Sequence, residues 1–230
     1  MAGDQELLTE HAVSFYQNNG GCALPDNSVE CIMEAAMSLF AERGADDVSL
    51  AEIAKRAKVS QGLIIYHFKS KANLLFVVAR VVYSKLLRQS LEAMSLTTNP
   101  LDALYAFIDT FFILADNNRD WPVFLAKFNP ILRLNLTKFP EAELIFLKNQ
   151  IHDIVRYCLI EGININMFKN VPVDPFSYLI LSMLWGVCRA YIGEVNSHEL
   201  SNEIKEIITH RLTGTVPEKT MDQQFNEVRV

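Results

Sequence analysis

A chain of 230 residues that is 50% hydrophobic and 21% charged can bury a sizeable core, which excludes a disordered polypeptide and leaves room for one large domain or two modest ones. Its net charge of −6 argues at face value against a nucleic-acid partner. That average hides an acid-free stretch over 53–91 holding Lys55, Arg56, Lys58, Lys69, Lys71, Arg80, Lys85 and Arg88, which leaves 13 basic residues against 27 acidic ones elsewhere.

Residues 1–27 are an acidic extension, and Arg43 is the first basic residue of the chain, so this segment is not a basic arm for a DNA groove. MAGDQELL has no basic stretch leading into an apolar one, so no secretory leader is expected. A short amphipathic helix fits 7–16 and ends before Asn18-Asn19-Gly20-Gly21. Val29, Ile32, Met33, Ala36 and Phe40 then recur at helical steps, with Ser28 placed to cap the helix and Gly44 to stop it. Ser49 with Glu52 three residues on predicts a capping box for a second helix burying Leu50, Ile53, Ala54 and Ala57. Ser60 caps a third, short helix after the turn at Lys58-Val59, and Ser70 caps a long fourth helix from Lys71 to about Met94.

Beyond Pro100 the pattern predicts helices over 100–116, 121–135, 140–161, 175–194 and 200–212, punctuated by Asn117-Asn118, Pro140, Gly162, Pro172, Pro175 and Gly214. No strand pattern of useful length and no repeat is present, so the fold class is all-α. The longest strongly apolar uncharged run, 175–188, falls short of the ~20 residues that span a bilayer, so no membrane segment is expected and the protein is placed in the cytoplasm. Cys22, Cys31, Cys158 and Cys188 have neither CxxC nor zinc-ligand spacing and read as reduced thiols; no metal and no cofactor is expected.

The segment AAMSLFAERGADDVSLAEIAKRAKVSQGLIIYHFKSKANLL carries the chemistry. Two helices joined by a tight turn form a helix-turn-helix, whose second helix lies in the major groove with its N-terminal residues toward base edges. Small Ala54 suits the close crossing, and Ile53, Ala57, Val59 and Ile64 suit the mini-core. Gly62 lets backbone approach DNA closely, and the Gln61 amide both donates and accepts, as a base or backbone reader must. Leu63 either meets a thymine methyl or covers apolar surface. Tyr66 faces outward, and His67 is open between a core edge and a phosphate contact. Lys71 stands at a helix start, where backbone N–H groups also favour phosphate. Ser49, Ser60 and Lys58, the last adding positive charge in the turn, complete the candidate DNA-binding set.

From residue 28 to about 75 the chain resembles the tetracycline-repressor-like (TetR) family of one-component regulators. Phe40, Gly44 and Ser49 meet the family's Phe, Gly and helix-opening Ser/Thr. Ile53-Ala54, Ala57, Val59-Ser60, Gly62, His67-Phe68 and Ser70-Lys71 meet its IAxxAxVSxGxxxxHFxSK core. Two positions depart. Lys58 stands where members usually carry Gly, in a turn that often needs positive φ. Ile65 stands where members usually carry a Tyr that donates to phosphate, and neighbouring Tyr66 points about 100° away on a helix.

The resemblance implies a three-helix DNA-binding domain at 28–75, a helical effector-binding and dimerisation domain at 76–214, and a loose tail at 215–230. Phe107, Phe111, Phe112, Trp121, Phe124, Phe128 and Trp185 are candidate walls of a mainly apolar effector pocket, with His152 and Arg189 as its polar groups; the plain alternative is that they are core. The apolar helix at 175–194 has two faces to cover. With 200–212 it is expected to form a homodimer interface through Leu179, Met183, Ile204 and Ile208.

The expected function is a repressor that binds double-stranded DNA of two-fold symmetry as a homodimer and is released by a small apolar or aromatic ligand. HExxH, GxSxG, P-loop and GxGxxG patterns are absent, so an enzyme is not expected. The alternative is a ligand-binding helical protein with weak or no DNA binding, which the departures at Lys58 and Ile65 would suit.

Overall fold

Ile32, Ala36 and Phe40 are buried along one face of α1 (Ser28–Arg43), and Gly44 at φ +88° ends the helix by donating its N–H to the Phe40 carbonyl at 2.8 Å. Ser28, expected as the cap, already lies inside α1. This is a computed structural model describing residues 28–127, 141–190 and 196–214, and among these all regular structure is helical. The expectations for 7–16, Phe128, 128–135, 191–194 and 215–230 lie outside the described residues, as does the side chain of Arg189.

α2 (Leu50–Ala57) opens on the expected capping box: the Ser49 hydroxyl accepts from the Glu52 N–H at 3.2 Å, and the Glu52 carboxylate accepts from the Ser49 N–H at 2.8 Å. Lys58 closes it in the left-handed conformation, φ 56° and ψ 39°. α3 (Gln61–Phe68) is capped by Ser60, whose hydroxyl accepts from the Leu63 N–H at 3.2 Å. It stops at Lys69, a second residue of positive φ (65°). Ser70 caps α4 (Lys71–Ser95) by accepting from the Asn73 N–H at 3.1 Å. Ile53, Ala54, Ile64 and Phe68 are buried together with the inner face of α1, and Ala57 and Val59 pack against them half-buried.

α4 carries Leu74, Val78, Val82 and Leu86 into the second part of the molecule, where it packs on α5 (Pro100–Asn117) and α7 (Glu141–Asn164). α6 (Asp120–Lys127) lies against α1 on one side and α8 (Val173–Ala190) on the other. α9 (Ser197–Thr213) packs on α5 and is tied to it by polar contacts: Lys205 pairs with Asp109, Ser201 donates to Asp109 at 2.9 Å, and Tyr105 bonds Thr209. The architecture is therefore a helix-turn-helix head carried on a larger helical body, with α4 and the α1–α6 contact joining them.

Candidate nucleic-acid interface

The outward face of α3 is set by its short length and its burial of Ile64 and Phe68. Gln61, Gly62, Ile65 and Tyr66 are left exposed, with Ile65 at 44% and Tyr66 at 64%, while Leu63 and His67 are half-buried. A Cβ added at Gly62 would meet only the Ser60 hydroxyl, at 3.8 Å, so glycine there leaves a flat approach to the helix start rather than relieving an internal clash. Leu63 packs against the core, and that favours the apolar-cover alternative for this side chain.

The positive groups divide into two sets. Lys55, Lys58 and Lys69 are exposed around the turn and the end of α3. The Lys69 ammonium bonds the Tyr66 carbonyl at 2.8 Å and lies 5.4 Å from the Tyr66 ring centroid, so charge and phenol are presented as one unit. Arg56 forms a fork on Glu42 at 2.9 and 3.1 Å, which fastens α2 to α1. Glu42 beside it is held below the usual carboxylate range by the Arg56 hydrogen bond.

Lys71 is a correction. Its ammonium donates to the carbonyls of Ala45 at 2.7 Å, Val48 at 2.9 Å and Asp46 at 3.4 Å, which occupies its three N–H groups on the loop between α1 and α2. The group expected on phosphate instead shapes the loop that leads into Ser49. Ser49 is likewise engaged, its hydroxyl donating to Glu52 at 2.8 Å. Burial, and then nearby Lys69, push the His67 imidazole below its ordinary value; it also stands edge-on to Tyr66 at 5.1 Å.

In the body, the expected pocket aromatics are core. Phe107, Phe111, Phe112, Trp121 and Phe124 are all buried, and the Phe111 ring meets Trp121 at 5.5 Å, Trp185 at 5.2 Å and Phe112 at 5.9 Å, each edge-on. Trp185 is half-buried and also meets Tyr83 at 6.4 Å. The Trp121 indole N–H is buried without an acceptor among the described residues. His152 does not face this cluster's rings. It bonds the Ser177 hydroxyl at 2.7 Å and stacks on Tyr178 at 4.2 Å, joining α7 to α8.

The dimer set also splits. Leu179 is 59% exposed and Met183 half-buried, with Tyr178 beside them at 58%. Ile204 and Ile208 are buried within their own chain, because α9 turns that stripe onto α5, and Ile207 faces outward in their place. The Lys205–Asp109 pair joins α9 to α5 beside that stripe, and it has no short-range signal in the sequence.

Among the described residues no cluster of His, Cys, Asp or Glu could hold a metal, and no helix is long and apolar enough to cross a membrane.

Residues 32–78 match the family model described as bacterial regulatory proteins, tetR family. The transcriptional regulator HbdR of Aromatoleum sp. (strain CIB) is 30% identical over 105 residues, and that match spans 44% of each chain, less than half of the relative. Among solved structures, the regulator FadR of Bacillus subtilis in complex with stearoyl-CoA has a TM-score of 0.67 at 19% identity, covering 78% of this chain and 97% of that one. AibR in complex with isovaleryl coenzyme A and operator DNA has a TM-score of 0.67 at 16% identity, covering 78% and 97%. At these identities the likeness to the solved structures is one of fold.

Proposed function

Because its helix-turn-helix domain belongs to the tetR family of bacterial regulatory proteins, we propose that this protein is a cytoplasmic, homodimeric repressor that binds a two-fold symmetric operator and releases it on binding a small, mainly apolar ligand. Residues 28–75 are the DNA-binding head and 76–214 the effector and dimerisation body. The observation that carries this is the outward face of α3: Gln61, Gly62, Ile65 and Tyr66 stand clear of the core at the start and middle of a capped helix, within the acid-free positive stretch of the chain. Lys55, Lys58 and the Lys69–Tyr66 unit supply phosphate contacts in place of Lys71. The exposed Tyr178, Leu179 and Ile207 of α8 and α9, with half-buried Met183 beside them, are the dimer face.

The ligand-bearing state of the two structural neighbours supports an effector with an acyl chain. A ligand that prefers one spacing of the two heads shifts the population toward it by its differential affinity for the two states.

The test is selection from a random duplex pool, followed by affinity measurement from 50 to 200 mM salt, an interval over which about 6–10 phosphate contacts lose roughly 10³–10⁵ in affinity. A single palindromic motif with a steep salt slope is expected. A flat slope and no enriched motif would leave a ligand-binding protein without DNA activity.

A further inference from the structure

A groove of about 660 Å³ opens at the C-terminal end of α4, the end opposite the helix-turn-helix. Its apolar side is Leu87, Leu91 and Met94 of α4, Ala103 of α5, and Ile154 and Cys158 of α7, and polar residues of the 95–99 turn and Gln150 complete the lining. Leu91 is 50% exposed although it stands in an apolar stripe at helical spacing. None of the aromatics of the packed cluster lines this groove, so it is a separate site.

The rim is acidic. Asp153 and Glu161 line it, and no Lys, Arg or His does so among the described residues. Asp153 is partly compensated by Arg156 at 3.3 Å, and Arg156 also holds Asp174 at 2.6 Å. Glu161 is half-buried, one and two turns along α7 from Tyr157 and Ile154, with its carboxylate directed to no partner among the described residues. A volume of this size suits a small organic molecule, and an apolar trough ending at a carboxylate favours a chain with a cation at one end while repelling a phosphate.

We propose that this groove binds an amphiphile whose apolar chain lies between α4 and α7 and whose head group is a cation seated at Glu161, rather than the phosphate-bearing head of an acyl-CoA. The inference rests on the ligand-responsive reading above and names the charge of the ligand that reading requires.

Binding is measured by calorimetry on the full chain without DNA, using decylamine, decanol, decanoate and decanoyl-CoA below their micellar concentrations. Decylamine is expected to bind about tenfold tighter than decanol, the scale of one charge-assisted contact, and decanoate and decanoyl-CoA weaker still. Glu161→Gln should erase the amine's advantage and Glu161→Lys should reverse it toward decanoate. Ala103→Phe, which fills the trough, should weaken all four. Equal or tighter binding of decanoyl-CoA, an unchanged amine preference in both Glu161 variants, or no binding of any probe overturns the proposal. Because none of these measurements involves DNA, failure here is distinct from failure to select an operator.

Discussion

The ammonium of Lys71 lies 2.7 Å from the carbonyl of Ala45, and 2.9 Å from that of Val48, so the first residue of α4 fixes the loop that delivers Ser49 to the start of α2. Hydrogen bonds to a charged group contribute about 1.5–3 kcal/mol each. Lys71→Met should therefore lower the melting temperature and leave the salt slope of DNA binding unchanged. A phosphate contact would do the reverse, reducing the slope by roughly one unit with little change in melting. Melting curves and a salt titration on the same variant decide between them.

At Lys58, φ 56° and ψ 39° place a side-chain-bearing residue where glycine has no steric penalty. Lys58→Gly should stabilise the protein by roughly 1 kcal/mol, read as a higher denaturant midpoint. The same change deletes an exposed positive charge at the turn, so DNA affinity should fall while stability rises. A lowered midpoint would contradict the strain.

The caps at Ser49, Ser60 and Ser70 and the stop at Gly44 were legible in the sequence because each depends on residues at most four apart. Positive φ at Lys58 was legible for the same reason, from the turn pattern alone. Facing directions were not. Ile204 and Ile208 read as an outer stripe because the Asp109–Lys205 and Asp109–Ser201 contacts that rotate them inward join residues more than ninety positions apart. Gly162 read as punctuation, yet α7 runs on to Asn164 and the glycine sits under the Phe168 ring, where an added Cβ would lie 2.0 Å from Cδ2. Lys71 reads as a phosphate group because the carbonyls that engage its ammonium lie more than twenty positions earlier, beyond any short-range signal.

Ile65 stands 44% exposed on the same face as Gln61, four residues earlier. An apolar side chain at a major-groove surface has one natural partner, the 5-methyl group of thymine. Replacing thymine by deoxyuridine, one position at a time in a selected operator, should weaken binding at one position per half-site by about 1 kcal/mol. Ile65→Ala should remove that difference. Equal binding of every uridine-substituted duplex would exclude the contact and leave Gln61 as the reader on this face.

The Glu52 carboxylate is held down to about 2 from an ordinary 4.5, first by the Ser49 N–H, then by the Ser49 hydroxyl and Arg43, which lies 2.9 Å away. A depressed carboxylate gives stability that is complete above its unfolded value and is lost as pH falls from about 4.5 toward 2. Glu52→Gln should flatten the acid limb of the stability curve across that window and leave the slope above it untouched. Denaturant midpoints measured at intervals from pH 6 to 2 give the comparison. Parallel acid limbs for the two proteins would show that the capping box is not the source.

Tyr83, Trp185, Phe111 and Trp121 form one chain of edge-on rings drawn from α4, α8, α5 and α6, and α6 in turn lies against α1 of the helix-turn-helix head. Rings packed this closely move as a unit or not at all, because an interior of native density has discrete arrangements rather than continuous ones. Phe111→Ala should cost about 3–5 kcal/mol through the cavity it leaves. Trp185, being only half-buried, can be cut to Leu at smaller cost. Trp185→Leu should leave operator affinity without ligand within about threefold while reducing the ligand-induced loss of affinity, since it breaks the link between α8 and α5 without touching the head. Linkage requires the reduction to appear equally in the effect of operator DNA on ligand affinity. If Trp185→Leu lowers ligand-free operator affinity as much as it lowers the ligand response, the rings hold the head in place and transmit nothing.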